Sequence, residues 1–126
     1  MVEMIIEAEK SIEHLQEMLR VAVNGLIDIG PWTIEQRLFQ VSSTFALTSV
    51  NEFPVALQED YKWLMDELRK AMPERVGDEH MPSLRPLDEM MARALVEKVL
   101  DLFTDITKIE GIQDYQYDMI RANRSA

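Results

Sequence analysis

A heptad repeat through residues 2–29 constrains the fold more than any other feature of the sequence. Its first apolar position is filled by Ile5, Ile12, Leu19 and Leu26, and its second, three residues later, by Ala8, Leu15, Ala22 and Ile29. This spacing puts the side chains on one stripe of an α-helix and is typical of helices that pack at a shallow angle. The repeat therefore predicts a long first helix whose stripe is covered by the third and fourth helices or by a second copy of the chain.

Proline and capping signals mark where the next two helices begin. Thr33 and Gln36 form a capping-box pattern, in which each side chain bonds the other residue's backbone N–H, and this predicts a second helix over about 34–50. Pro54 suits the start of a third helix that ends near Pro73. In that segment apolar residues recur at spacings of three and four, which predicts one buried face.

The last third of the chain predicts the most buried helix. Apolar residues cover much of the circumference of residues 87–109, as expected for a helix enclosed by others. Gly111 is expected to break or kink this helix before a short fifth one. Residues 73–86 hold three prolines and a glycine and are expected to form one unusually long loop.

Together these segments predict an all-α fold. Amphipathic helices joined by short turns favour a mostly antiparallel bundle of four to five helices with the long Pro-rich loop at about 73–86. The chain contains no internal repeat or low-complexity segment, so residues 1–126 are expected to form a single domain.

The charge balance limits the kinds of partner. With 23 acidic and 13 basic residues the net charge is −10, and the excess is spread along the chain. Such a surface repels nucleic acid and anionic lipid and attracts basic proteins. Cysteine is absent, the N-terminus is acidic where a signal peptide would be basic, and no stretch is apolar enough to cross a bilayer. We therefore expect a cytoplasmic protein that binds neither nucleic acid nor membranes.

Familiar catalytic motifs are missing from the sequence. His14 and His80 lack the Glu-x-x-His spacing of di-iron bundles, and no two acidic residues lie three positions apart as in the Glu-x-x-Glu metal motif. The glycines are isolated, which argues against a phosphate-binding loop. We therefore assign no catalytic, metal-binding or cofactor-binding residues and expect no cofactor. Acidic residues four positions apart, such as Glu97 and Asp101, leave a carboxylate-based metal-dependent hydrolase of nucleotides or phosphoesters as the alternative.

Two groups of residues are candidates for a binding site. In the long loop, His80 follows two carboxylates and is a candidate pH-sensitive contact, together with Asp78 and Glu79. The candidate interface residues are the stripe of the first helix and a tryptophan of the third, namely Ile5, Ile12, Leu15, Leu19, Leu26 and Trp63.

The function predicted from these features is a non-catalytic interaction or regulatory protein that acts through protein–protein contacts. Its partner is expected to be a protein, either a second copy of the chain in a homodimer or a different, basic protein. In the second case an acidic inhibitor or immunity-type protein fits the charge, because its carboxylates would stand where the phosphates of a nucleic acid bind.

Overall fold

A computed structural model describes residues 2–27, 30–74 and 82–124, with side chains over 12–112 of these ranges. The elements, in chain order, are α1 (Val2–Ile27), α2 (Ile34–Phe45), a short 3₁₀ helix (Val50–Glu52), α3 (Val55–Lys70) and α4 (Glu89–Arg124). Within the described ranges there are four α-helices and no strand, which confirms the predicted all-α bundle. No helix in these ranges is long and apolar enough to cross a membrane.

The stripe of α1 packs inside the bundle. Leu15 and Leu19 are fully buried, and α1 lies mainly against α4 and α2. The expectation that α3 would help to cover it is therefore wrong: α2 takes that place. On α3 and α4 the predicted apolar faces are confirmed, since Leu64 and Leu68 of α3 and Leu102 of α4 are completely inaccessible to solvent.

The second helix ends earlier than the sequence predicts. It stops at Phe45, five residues short of the predicted end, after a Ser-Ser-Thr run that favours helix poorly. The backbone N–H of Thr48 turns back to the Phe45 carbonyl at 3.0 Å, and the Tyr61 hydroxyl donates to the Thr48 carbonyl at 3.0 Å. Tyr61 of α3 thus supplies a donor to the turn that follows α2.

Tyr61 is also the centre of an aromatic cluster. Its ring stacks on Phe53 with 4.2 Å between centroids and forms a T-shaped contact with Phe45 at a centroid distance of 5.8 Å. Burial, with a smaller contribution from the nearby Glu52 carboxylate, raises the pKa of Tyr61 to about 12. The cluster joins α2, the 3₁₀ helix and α3 through one side chain.

The last helix is longer than predicted and is not broken at Gly111. It begins after Asp88, whose carboxylate accepts a hydrogen bond from the backbone N–H of Met91 at 2.7 Å, and it continues through Gly111 to Arg124. A glycine inside a helix costs only about 1 kcal/mol relative to alanine, which the adjoining turns of a long helix offset. The separate fifth helix expected after Gly111 is therefore absent from the described part of the chain.

One arginine closes the junction between the first two helices. The guanidinium of Arg37, on α2, donates to the carbonyl of Leu26 and to the carbonyl of Gly30, each at 3.1 Å. The last carbonyls of a helix lack intrahelical partners and carry partial negative charge, so a cation there is favourable. Arg37 thereby holds the C-terminal end of α1 against α2.

The connection between α3 and α4 is fastened at its end. The backbone N–H of Arg85 donates to the Ala71 carbonyl at 2.8 Å, and that of Leu84 donates to the Glu35 carbonyl at 3.2 Å. The Leu84 side chain is buried in the core. The described residues between Lys70 and Glu89 form neither helix nor strand, and residues 75–81 of the predicted long loop lie outside the described residues.

Candidate functional site

The predicted site residues fall into three groups. The loop candidates Asp78, Glu79 and His80 lie outside the described residues, as does the side chain of Ile5. The other stripe residues are at most 6% exposed; they are Ile12, Leu15, Leu19 and Leu26. Because the chain's own helices cover these four side chains, they are not accessible to a partner in the folded chain. Trp63, by contrast, is 36% exposed and reaches the surface.

Trp63 lies in a groove between α3 and α4, which we call the acidic groove. Residues one turn apart on each helix line it: Glu59, Asp60 and Trp63 from α3, and Ala94, Glu97, Lys98 and Asp101 from α4. On an α-helix, side chains three and four positions apart share a face, so each helix contributes one continuous edge. Buried leucines directly beside these edges, Leu64 and Leu95, hold the two helices together.

A single lysine spans the groove. The ammonium group of Lys98 forms an ion pair with Asp60 at 3.2 Å and lies 5.6 Å from the centre of the Trp63 ring. A cation over an aromatic face is attracted by the negative charge of its π-electrons. The groove therefore already shows, within one chain, how an exposed tryptophan and a carboxylate can hold a positive charge.

The remaining carboxylates leave the groove strongly negative. Glu59, Glu97 and Asp101 are exposed and form no ion pair with any residue that the structure describes. Four carboxylates thus face one ammonium group. In a groove with walls of low dielectric constant, several charges of one sign attract cationic groups and repel anionic ones.

The second tryptophan occupies a chemically different surface. Trp32 is also 36% exposed and lies between α1 and α2, in a depression that includes Val21, Gly25 and Thr44. Among the described residues, the only charged side chain lining this depression is that of Arg37. The two tryptophans therefore match in exposure and differ in their electrostatic surroundings, which makes Trp32 a natural control for Trp63.

The alternative of a metal-dependent hydrolase finds no ligand set in the described structure. Among the described residues, no three His, Asp or Glu side chains lie close enough together to hold a metal ion. Glu97 and Asp101, one of the acidic pairs behind the alternative, are exposed residues that line the groove on the same helix as Lys98 and opposite Trp63.

Divalent metal is accordingly expected to leave the stability of the protein unchanged. A ligand that binds only the folded state raises the melting temperature in proportion to the logarithm of its concentration. We expect no rise in Tm beyond that produced by a monovalent salt of equal ionic strength when MgCl₂ or MnCl₂ is added. A metal-specific rise that Glu97→Gln abolishes would restore the hydrolase hypothesis.

Comparison with known proteins adds no further assignment: no family model, curated protein or solved structure matches the chain.

Sequence reasoning identified only part of the groove. The sequence predicts Trp63 as a candidate and identifies Glu97 and Asp101 as acidic residues four positions apart, but it does not single out Glu59, Asp60 or Lys98. The available signal was the position of Glu59 and Asp60 one helical turn before an aromatic residue. Their meeting with Lys98, 38 residues further along the chain from Asp60, depends on how α3 and α4 pack.

Proposed function

We propose that this protein is a non-catalytic interaction protein that binds a basic partner protein in the acidic groove. The observation that supports this most directly is Trp63, a partly exposed tryptophan among four carboxylates. Tryptophan is the residue type most enriched at the energetic centres of protein interfaces, because it buries a large rigid area. A partner with arginine or lysine side chains would complement both the ring and the charges around it.

The electrostatics favour a basic protein over other partners. Nucleic acids and anionic membranes would be repelled by a chain of net charge −10. A second copy would bring the same negative charge, and the stripe of α1 that suggested a homodimer is covered by α2 and α4. A basic protein has neither disadvantage, and we therefore propose it as the occupant of the acidic groove.

Within this class the favoured role is that of an acidic inhibitor or immunity-type protein. Carboxylates spaced along a groove resemble a row of phosphates to a nuclease or another basic nucleic-acid-binding protein. The absence of cysteine suits the reducing cytoplasm, where we place this function.

Replacing Trp63 by alanine is expected to weaken the binding of an arginine-rich model peptide by about 1–2 kcal/mol, or roughly fivefold to thirtyfold. The matched control is Trp32→Ala, which removes an equally exposed tryptophan from a depression whose described lining contains no carboxylate. It should change the affinity less than about twofold. Fluorescence anisotropy with a labelled peptide measures both variants against the unmodified protein.

The same titration at increasing salt tests the electrostatic part of the proposal. Screening shortens the range of the attraction, so the affinity should fall steeply as ionic strength rises. An affinity that is independent of salt, or equal losses in the two tryptophan variants, would contradict binding in the acidic groove.

A further inference from the structure

We infer that Lys98 is a built-in competitor for the acidic groove, occupying the position that an arginine side chain of the partner takes on binding. This inference rests on the proposed function and specifies how the same groove is regulated. It assigns the anchoring group of the partner as a guanidinium rather than an ammonium.

Lys98 already occupies the position that an incoming cation would take. Its Nζ makes the two contacts that an incoming cation would seek: the ion pair with Asp60 at 3.2 Å and the position over the Trp63 ring at 5.6 Å. The Lys98 and Asp60 side chains remain 26% and 46% exposed, so neither is locked in the core. A partly exposed ion pair between two helices is weak, because water competes for both charges. Lys98 can therefore leave without disturbing the packing of α3 on α4.

A guanidinium group suits this position better than an ammonium group. Guanidinium is planar, less strongly hydrated than ammonium, stacks on aromatic rings and donates two parallel hydrogen bonds to one carboxylate. An arginine over Trp63 would thus satisfy the Asp60 carboxylate with two donors, where Lys98 uses one. The displaced ammonium group of Lys98 remains near Glu97 and Asp101, which have no described ion-pair partner.

This difference makes the groove selective for arginine over lysine. A lysine from outside would gain nothing over Lys98, which is already held at the site by the chain itself. An external arginine gains the difference in binding free energy between a guanidinium and an ammonium group at this site. Lys98 therefore raises the affinity that a partner needs and favours partners that present arginine.

The test compares Lys98→Met with Lys62→Met. Methionine keeps the apolar stem of lysine and removes its charge. Lys62 lies on the exposed surface of α3 outside the groove lining, so its replacement changes the net charge equally. Two peptides of equal length and charge, one with arginines and one with lysines at the same positions, are titrated into each variant in a Trp32→Phe background, where Trp63 is the sole tryptophan fluorophore.

The unmodified groove should bind the arginine peptide at least about threefold more tightly than the lysine peptide. Lys98→Met should raise the affinity for both peptides by roughly fivefold, and Lys62→Met by less than about twofold. Equal gains in the two variants, or no gain in Lys98→Met, would overturn the inference and leave the proposed function standing. If no variant binds either peptide, the proposed function itself fails.

Discussion

Replacing Leu19 by alanine is expected to lower the free energy of unfolding by about 3–5 kcal/mol. Leu19 is fully buried in α1, the helix that packs on both α4 and α2, so truncation leaves a cavity at the centre of the bundle. Domains of this size have stabilities of about 5–15 kcal/mol, and the loss is therefore a large share of the total. Urea denaturation monitored by circular dichroism measures it.

The matched control is Val21→Ala, two residues further along the same helix. Val21 is 51% exposed, and its truncation should cost less than about 1 kcal/mol. Light scattering on both variants separates burial in the monomer from burial in a dimer. A loss in Leu19→Ala that vanished on dilution, with a change from dimer to monomer, would show that a second copy covers the stripe and would contradict the packing described above.

Tyr61→Ala is the second substitution with a large expected effect, again about 3–5 kcal/mol. It removes a ring that stacks on Phe53 and makes a T-shaped contact with Phe45, and a hydroxyl that donates to the Thr48 carbonyl. Tyr61→Phe divides the loss, because it keeps the ring and deletes the hydroxyl. We expect about 1 kcal/mol for that variant, the usual net contribution of one hydrogen bond, because the Thr48 carbonyl is only partly buried. Equal losses in the two variants would contradict a contribution from the aromatic packing.

The hydroxyl also makes stability depend on alkaline pH. The pKa of Tyr61 is raised from 10.0 to about 12 in the folded protein, so the folded state holds the phenolic proton more tightly than the unfolded chain does. This contribution to stability is complete below pH 10 and is lost as the pH rises to about 12. In Tyr61→Phe, which cannot ionise, this part of the decline should be missing. Urea titrations across that range compare the two proteins, and parallel curves would argue against the shift.

Much of the fold could be predicted because helix signals are local. The capping box at Thr33 and Gln36 forms as predicted, with bonds of 2.8 and 3.2 Å. The apolar spacing also located the buried face of α3 correctly. The errors have two causes. The turn after α2 depends on a contact with Tyr61, distant in sequence, whereas α4 continues past Gly111 because a long helix tolerates one glycine.

The site was harder to predict because spacing identifies a face but not what covers it. The heptad stripe of α1 was correctly identified as apolar, yet sequence alone could not tell a second copy from α2 and α4. The same limit applies to Trp63, whose contact on the neighbouring helix could not be read from spacing. Its neighbours on α3 are visible in the sequence, but Lys98 reaches its ring only through the alignment of α3 with α4.

The hydrogen bond between Arg85 and Ala71 has a consequence for how the length of this chain can vary. Since residues 71 and 85 meet through the backbone, the two ends of the segment between them are held together. The entropy of closing such a segment grows only with the logarithm of its length, so a few inserted residues would cost about 0.3 kcal/mol. The start of α4 is held independently through Glu35, which accepts from the backbone N–H groups of Leu84 and Leu87. Insertions and deletions can therefore accumulate between α3 and α4 while the four helices keep their register.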